Sequence, residues 1–79
     1  MTQLPTMDMS VVNVIKHCTE NLKNDIDPFG SANTVADLVD DHHLVGNEAY
    51  KPLLKSFCDL LSEKGFPQTA SFLVKQWEL

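Results

Sequence analysis

The 79-residue sequence contains no arginine, and its eleven acidic residues outnumber its six basic residues, all of which are lysine. Phosphate recognition favours the bidentate fork of arginine, and a protein that neutralises a nucleic-acid backbone needs a positive face. An anionic membrane surface makes the same demand. The composition therefore predicts neither a nucleic-acid-binding nor a membrane-binding protein. It favours a basic protein surface as partner, because opposite potentials steer association.

The sequence also lacks a long apolar run and a secretory signal. No stretch approaches the roughly 18–20 residues of a membrane-spanning helix, and no basic segment followed by an apolar core stands at the N-terminus. These absences predict a soluble, cytoplasmic protein. Its two cysteines, Cys18 and Cys58, are expected to be reduced and buried, with a disulfide between them left open as the alternative.

No residue pattern typical of a catalytic or metal site is present. His17 beside Cys18 and the pair His42-His43 supply zinc-ligand chemistry, but neighbouring histidines on a helix point about 100° apart. A cysteine–histidine dyad would need a group that orients the base, and none is evident. We therefore expect no enzymatic activity, no cofactor and no metal.

Strand-like alternation is absent too, whereas apolar residues recur every three or four positions. Apolar residues make up 43% of the chain, which is typical of a folded domain. A chain this short must share one core among its helices. We predict an all-α fold, a compact antiparallel bundle of five helices, or six. It forms a single domain over residues 8–79, behind a flexible leader over residues 1–7.

Capping and breaking residues divide the first half of the bundle. Asp8 or Ser10 can cap the first helix, which is expected to end before Asp27-Pro28-Phe29-Gly30, a tetrapeptide that disfavours helix. The second helix is expected to begin within Ser31 to Thr34 and to stop around His43. The predicted core faces of these two helices are Val11, Ile15, Cys18, Leu22 and Ile26, then Val35, Leu38, Val39 and His42.

The second half holds three predicted helices. A short third helix covers Glu48-Ala49-Tyr50, and Pro52 either begins the fourth helix or kinks a continuous one. Gly65 suits the left-handed position after the fourth helix, and Pro67 suits the first turn of the fifth. Phe72 lies off the apolar stripe of the fifth helix, so it is the aromatic residue that we expect to be exposed.

A cluster of acids in a lysine-free segment is the most informative charged feature. It comprises Asp37, Asp40, Asp41 and Glu48. The cluster is either a solvated face or a negative docking patch. Three lysines could form the complementary positive patch: Lys16, Lys23 and Lys55. Copies of such a chain could bind head to tail, although each exposed ion pair contributes only about 0.2–1 kcal/mol.

Two segments carry a family resemblance. The segment VADLVDDHHLVGNEAY, residues 35–50, and the segment FCDLLSEKG, residues 57–65, followed by Ala70, Phe72 and Leu73, resemble the caspase-recruitment domain (CARD), a death-fold module. The first is similar to that family's second and third helices, and the second to its fourth helix and the start of its fifth. With the first helix included, the resemblance covers about residues 9–79.

The resemblance implies a death-fold-like adaptor that assembles signalling complexes in apoptosis or innate immunity through complementary charged faces. In that family an acidic surface on helices two and three meets a basic surface on helices one and four. By position, these are the acidic cluster and the three lysines named above. Because the family often uses arginine on the basic side, the resemblance favours binding to a CARD-like domain or another basic protein over homo-oligomerisation.

Two alternatives stay open. Residues 53–73 resemble the LisH dimerisation motif, which implies that the C-terminal apolar stripe is a symmetric dimer face. The acidic composition is also compatible with a viral or phage inhibitor that occludes a basic site on a nucleic-acid enzyme.

Overall fold

The computed structural model describes residues 8–79, and this part of the chain contains four helices. They are α1 (Met9–Lys23), α2 (Pro28–Asp41), α3 (Lys51–Glu63) and α4 (Pro67–Gln76). These residues contain no β-strand, so the predicted all-α fold is confirmed. The leader predicted for residues 1–7 lies outside the described residues.

Aspartate side chains cap the N-termini of the first two helices. The Asp8 carboxylate accepts a hydrogen bond from the Ser10 amide at 2.9 Å, and the Asp27 carboxylate accepts one from the Gly30 amide at 3.1 Å. Pro28 fits the first turn of α2, because that position needs no amide donor. The tetrapeptide predicted to break the helix is therefore its first turn, and the predicted start after Gly30 was wrong.

The short third helix predicted around Glu48 is replaced by turns. The Asn47 side chain accepts a hydrogen bond from the Ala49 amide at 3.0 Å, which closes a local turn. The next helix begins at Lys51 with Pro52 in its first turn, as one of the two predicted alternatives required. The described residues thus contain four helices, and the predicted count of five or six is not confirmed.

Each helix ends in a left-handed residue that closes a paired hydrogen-bond motif. At the end of α3, the Phe66 amide donates to the Leu61 carbonyl at 2.9 Å and the Gly65 amide donates to the Ser62 carbonyl at 3.2 Å. The predicted role of Gly65 is confirmed by its φ of 100°. The same position after the other three helices is occupied by Asp25, His43 and Glu78.

One apolar core joins the helices. α1 packs against α2 and α3, and α3 packs against α4. Ile15, Leu22 and Phe57 are fully buried there. Two predicted core positions are wrong, because Ile26 is 53% exposed and His42 lies on the surface. The buried hydrophobic residues are Val11, Val12, Ile15, Cys18, Leu22, Ala32, Val35, Val39, Leu44, Tyr50, Leu54, Phe57, Cys58, Leu61, Ala70, Leu73 and Trp77.

A buried tyrosine connects the loop before α3 to the start of α1. The Asp8 amide donates a hydrogen bond to the Tyr50 hydroxyl at 2.6 Å. This contact joins residues 42 positions apart and gives the buried hydroxyl a partner. Within residues 8–79, no helix combines the length and the hydropathy that crossing a bilayer requires.

The left-handed residue after α2 generates a stability prediction. His43 has a φ of 53°, which strains any residue with a Cβ atom. We expect His43→Gly to raise the free energy of unfolding by about 1 kcal/mol, measured by urea denaturation. His42→Gly is the matched control and should destabilise, because its φ is −102°. Destabilisation by both variants would contradict the prediction.

Candidate functional site

Three of the predicted acidic residues form one exposed face of α2. Asp37 lies three residues before Asp40 and four before Asp41, so the carboxylates are neighbours on the helix surface. All three side chains are exposed, and none of them has an ion-pair partner among residues 8–79. These three residues are called the acidic face below. The fourth predicted acid, Glu48, instead pairs with Lys51 at 3.1 Å.

The acidic face lies at the end of α2 where negative charge is unfavourable. The carbonyl end of a helix carries a partial negative charge, and the last turn of α2 contains no basic residue. Like charges one turn apart cost a further 0.2–0.5 kcal/mol or so per pair. The structure shows no compensating contact for these carboxylates in the described residues. Such uncompensated costs are typical of residues retained for function.

A groove runs between the acidic face and α4. α2 packs on α1 and α4 packs on α3, which leaves a groove of about 250 Å³ between α2 and α4. Asp37 and Asp40 line it from α2, and the exposed Phe72 lines it from α4. The predicted exposure of Phe72 is confirmed, since 63% of its surface is accessible. An acidic edge and an exposed aromatic ring therefore share one groove.

The predicted lysines are not assembled into an equivalent basic face. Lys55 on α3 donates a hydrogen bond to Asp59 at 2.8 Å, and this contact raises the pKa of the Lys55 ammonium. Lys16 and Lys23 are exposed on α1, but Glu20 lies four residues after one and three before the other, on the same side of the helix. The three predicted lysines therefore do not form a strongly positive surface.

An exposed aromatic patch at one end of the bundle was missed in the sequence. Phe29, 60% exposed, packs edge-on against Phe66 with ring centroids 5.0 Å apart. Nearby in the chain, Asp25 pairs with Lys64 at 3.2 Å. The Asp27-Pro28 pair could have revealed it in the sequence. An aspartate followed by proline is typical of a helix start, and this interpretation places Phe29 in the first turn of α2.

A larger groove of about 490 Å³ lies between α1 and α2. Its polar lining includes Asn13, His17, Asn21 and Thr34. Asp27 is the only acidic residue that lines it, and no lysine does. Ile26, which is 53% exposed, also lines this groove. The smaller groove beside the acidic face combines two carboxylates with an exposed aromatic ring, so it is the better candidate for recognition of a basic partner.

The cysteines and histidines form no reactive centre in the described residues. Cys18 and Cys58 are free and buried, and burial raises the pKa of both thiols, that of Cys58 to about 11. A thiol held in its protonated form is a poor nucleophile. Among residues 8–79, no three histidine, cysteine, aspartate or glutamate side chains lie together in a way that could hold a metal ion.

Burial makes a prediction for thiol labelling. At pH 8 a thiol with a pKa of about 11 is ionised in about one molecule in a thousand. We expect Cys58 in a Cys18→Ala variant to react slowly with iodoacetamide, and the rate to rise about tenfold per pH unit towards pH 11. Labelling in urea is the control and should be fast. A native rate equal to the urea rate at pH 8 would contradict the buried, protonated thiol.

The position of the acidic face predicts that charge reversal stabilises the fold. We expect Asp41→Lys to raise the free energy of unfolding by about 0.5–1 kcal/mol at low salt, because it relieves repulsion and suits the helix end. Urea denaturation at low and high salt measures the effect, which salt should weaken. Glu48→Lys is the control and should give no gain, because Glu48 is paired with Lys51. A loss of stability in Asp41→Lys would refute the proposed electrostatic cost.

The candidate site is thus a surface, composed of the acidic face and the groove beside Phe72. It combines exposed charge of one sign with an exposed aromatic side chain, and aromatic residues are enriched in protein interfaces. The chain matches no protein-family model, no curated protein and no solved structure.

Proposed function

We propose that this chain is a protein–protein interaction domain, a CARD-like adaptor module that binds a basic surface of another protein through the acidic face of α2. The observation that carries the proposal is the acidic face itself. Asp37, Asp40 and Asp41 are exposed and have no ion-pair partner in the described residues. They also lie at a helix end where they cost stability. A partner with positive charge would compensate that cost.

The partner in this proposal is a CARD-like domain or another basic protein rather than a second copy of the chain. The chain has a net charge of −5, and Lys55 already has Asp59 as its partner. Repeated head-to-tail contacts would therefore join an acidic face to a weak positive one. A more basic partner gives better electrostatic complementarity.

The wider role in the proposal follows the CARD resemblance. The module would have a death-fold-like arrangement and would recruit its partner into a signalling complex of apoptosis or innate immunity. Binding would be its whole contribution, with no catalytic step and no cofactor. The exposed, charged surface supports such a role, because complementary charges raise association rates and select partners.

Burial favours the charged face over the apolar stripe of the LisH-like alternative. Phe57, Leu61 and Leu73 have 0%, 1% and 5% of their surface accessible in the single chain. These side chains are already in contact with the core, so a second copy is not needed to cover them. Sedimentation of the full chain tests the alternative, because a dimer lost in Phe57→Glu would support it.

The proposal predicts that reversing two charges abolishes binding without unfolding the domain. Calorimetric titration of the chain with a panel of basic-faced CARD-like domains should identify a partner. The double variant Asp40→Lys, Asp41→Lys should then lose at least about tenfold in affinity, equivalent to about 1.4 kcal/mol, with an unchanged helical circular dichroism spectrum. Binding should also weaken as salt rises, because the contact is electrostatic.

A matched control separates the surface from the net charge. Glu63→Lys with Glu78→Lys makes the same change in net charge at exposed positions outside α2, and it should retain most of the affinity. Equal binding by wild type and the Asp40, Asp41 variant, or no binding across the panel, would refute the proposal. A mixture of that variant with Lys16→Glu, Lys23→Glu that forms a heterodimer would instead establish self-assembly.

A further inference from the structure

We infer that the groove between α2 and α4 binds an amphipathic helix of the partner, one bulky apolar side chain of which is flanked by lysine or arginine one turn away. The inference rests on the proposed function and deepens it by naming the chemistry of the partner. It adds an apolar anchor to what would otherwise be a purely electrostatic contact.

The apolar part of the groove is built for one side chain. Val39, Leu73 and Trp77 line it and are buried in the core, so they form a rigid floor. Phe72 projects at the rim with 63% of its surface accessible. A volume of about 250 Å³ suits a single large residue rather than a continuous hydrophobic seam. Binding energy in interfaces is concentrated in such anchors when a pocket excludes water around them.

The charged part of the groove specifies cations beside that anchor. Asp37 and Asp40 both line the groove, and three residues of helix separate them by about 4.5 Å along its axis. No lysine lines the groove, because Lys75 of α4 lines the depression on the α3 side instead. An arginine of the partner can pair with a carboxylate and lie over the Phe72 ring. The groove thus favours a basic, amphipathic segment.

The α1 segment of a second copy is a poorer occupant of this groove. Its exposed apolar residue nearest to an α1 lysine is Ile26, three residues after Lys23. Asp25 and Asp27 flank Ile26 directly and are exposed. Inserting this segment would bring two further carboxylates towards Asp37 and Asp40. Of these two carboxylates, only that of Asp25 has an ion-pair partner among residues 8–79, which is Lys64. The repulsion makes a separate, basic partner the better fit.

The test uses a synthetic helical peptide and the full chain. The peptide has an alanine background, one central leucine, and arginine one turn before and after it. Amide chemical shifts of the isotope-labelled chain report where the peptide binds. We expect shifts at the residues that line the α2–α4 groove, and at least a fivefold loss of affinity in Phe72→Ala. Phe72 is exposed, so this variant should keep the wild-type melting temperature.

Phe29→Ala is the matched control, because Phe29 is as exposed as Phe72 but lies outside the groove. This variant should bind the peptide as wild type does. A peptide with alanine in place of leucine should bind more weakly, and one with glutamate in place of arginine should not bind.

Four outcomes would overturn the inference. The first is no binding at millimolar peptide, and the second is binding at the Phe29–Phe66 patch. The third is concentration-dependent shifts without peptide that disappear in Phe72→Ala, because the occupant would then be a second copy. Peptide or partner binding that depends on Asp40 and Asp41 but is indifferent to Phe72→Ala would refute the groove while leaving the proposed function intact.

Discussion

Packing of α1 between α2 and α3 is the contact on which the rest of this structure depends. Ile15 and Leu22 of α1 and Phe57 of α3 are inaccessible to solvent, and they hold together helices that do not otherwise meet extensively. α2 is held by α1, and α4 is held by α3. The spacing of α2 and α4, and with it the groove, is therefore set by the core. A small domain with one core has little freedom to lose such residues, since a cavity there costs a large part of its stability.

The apolar periodicity of the sequence was enough to predict the helices that face this core. Ile15, Cys18 and Leu22 recur at helical spacing and are buried as expected. The helix boundaries were harder to predict from the local sequence. Asp27-Pro28 can stop one helix or start another, and only the hydrogen bond from the Gly30 amide to Asp27 decides between them. Ile26 was assigned to the core because its spacing continues α1, but the left-handed Asp25 turns the chain before it.

The candidate site shows a similar division. Charge patterning identified the acidic residues of α2, and periodicity identified Phe72 as the exposed aromatic. Pattern alone could not show that they line one groove, because that depends on the packing of two helices that are distant in sequence. Nor could it show that Lys55 and Glu48 have local partners. Exposed side chains choose between several neighbours at helical spacing, with differences of a few tenths of a kcal/mol.

The groove is complementary to arginine, the residue that this chain lacks. An acidic face next to an aromatic ring is best complemented by a guanidinium, which can donate hydrogen bonds to a carboxylate and stack on the ring at the same time. This chain holds only the acidic and aromatic half of that pair, and five of its six lysines either have an ion-pair partner or lie one turn from Glu20. Charge alone would speed the encounter but hold the complex weakly, because exposed ion pairs are screened by salt. An apolar anchor at Phe72 would slow dissociation. A contact that excludes water at the centre lowers the local dielectric, which strengthens the electrostatic interactions around it. The two features are therefore most useful together, and they define a partner that is both basic and amphipathic.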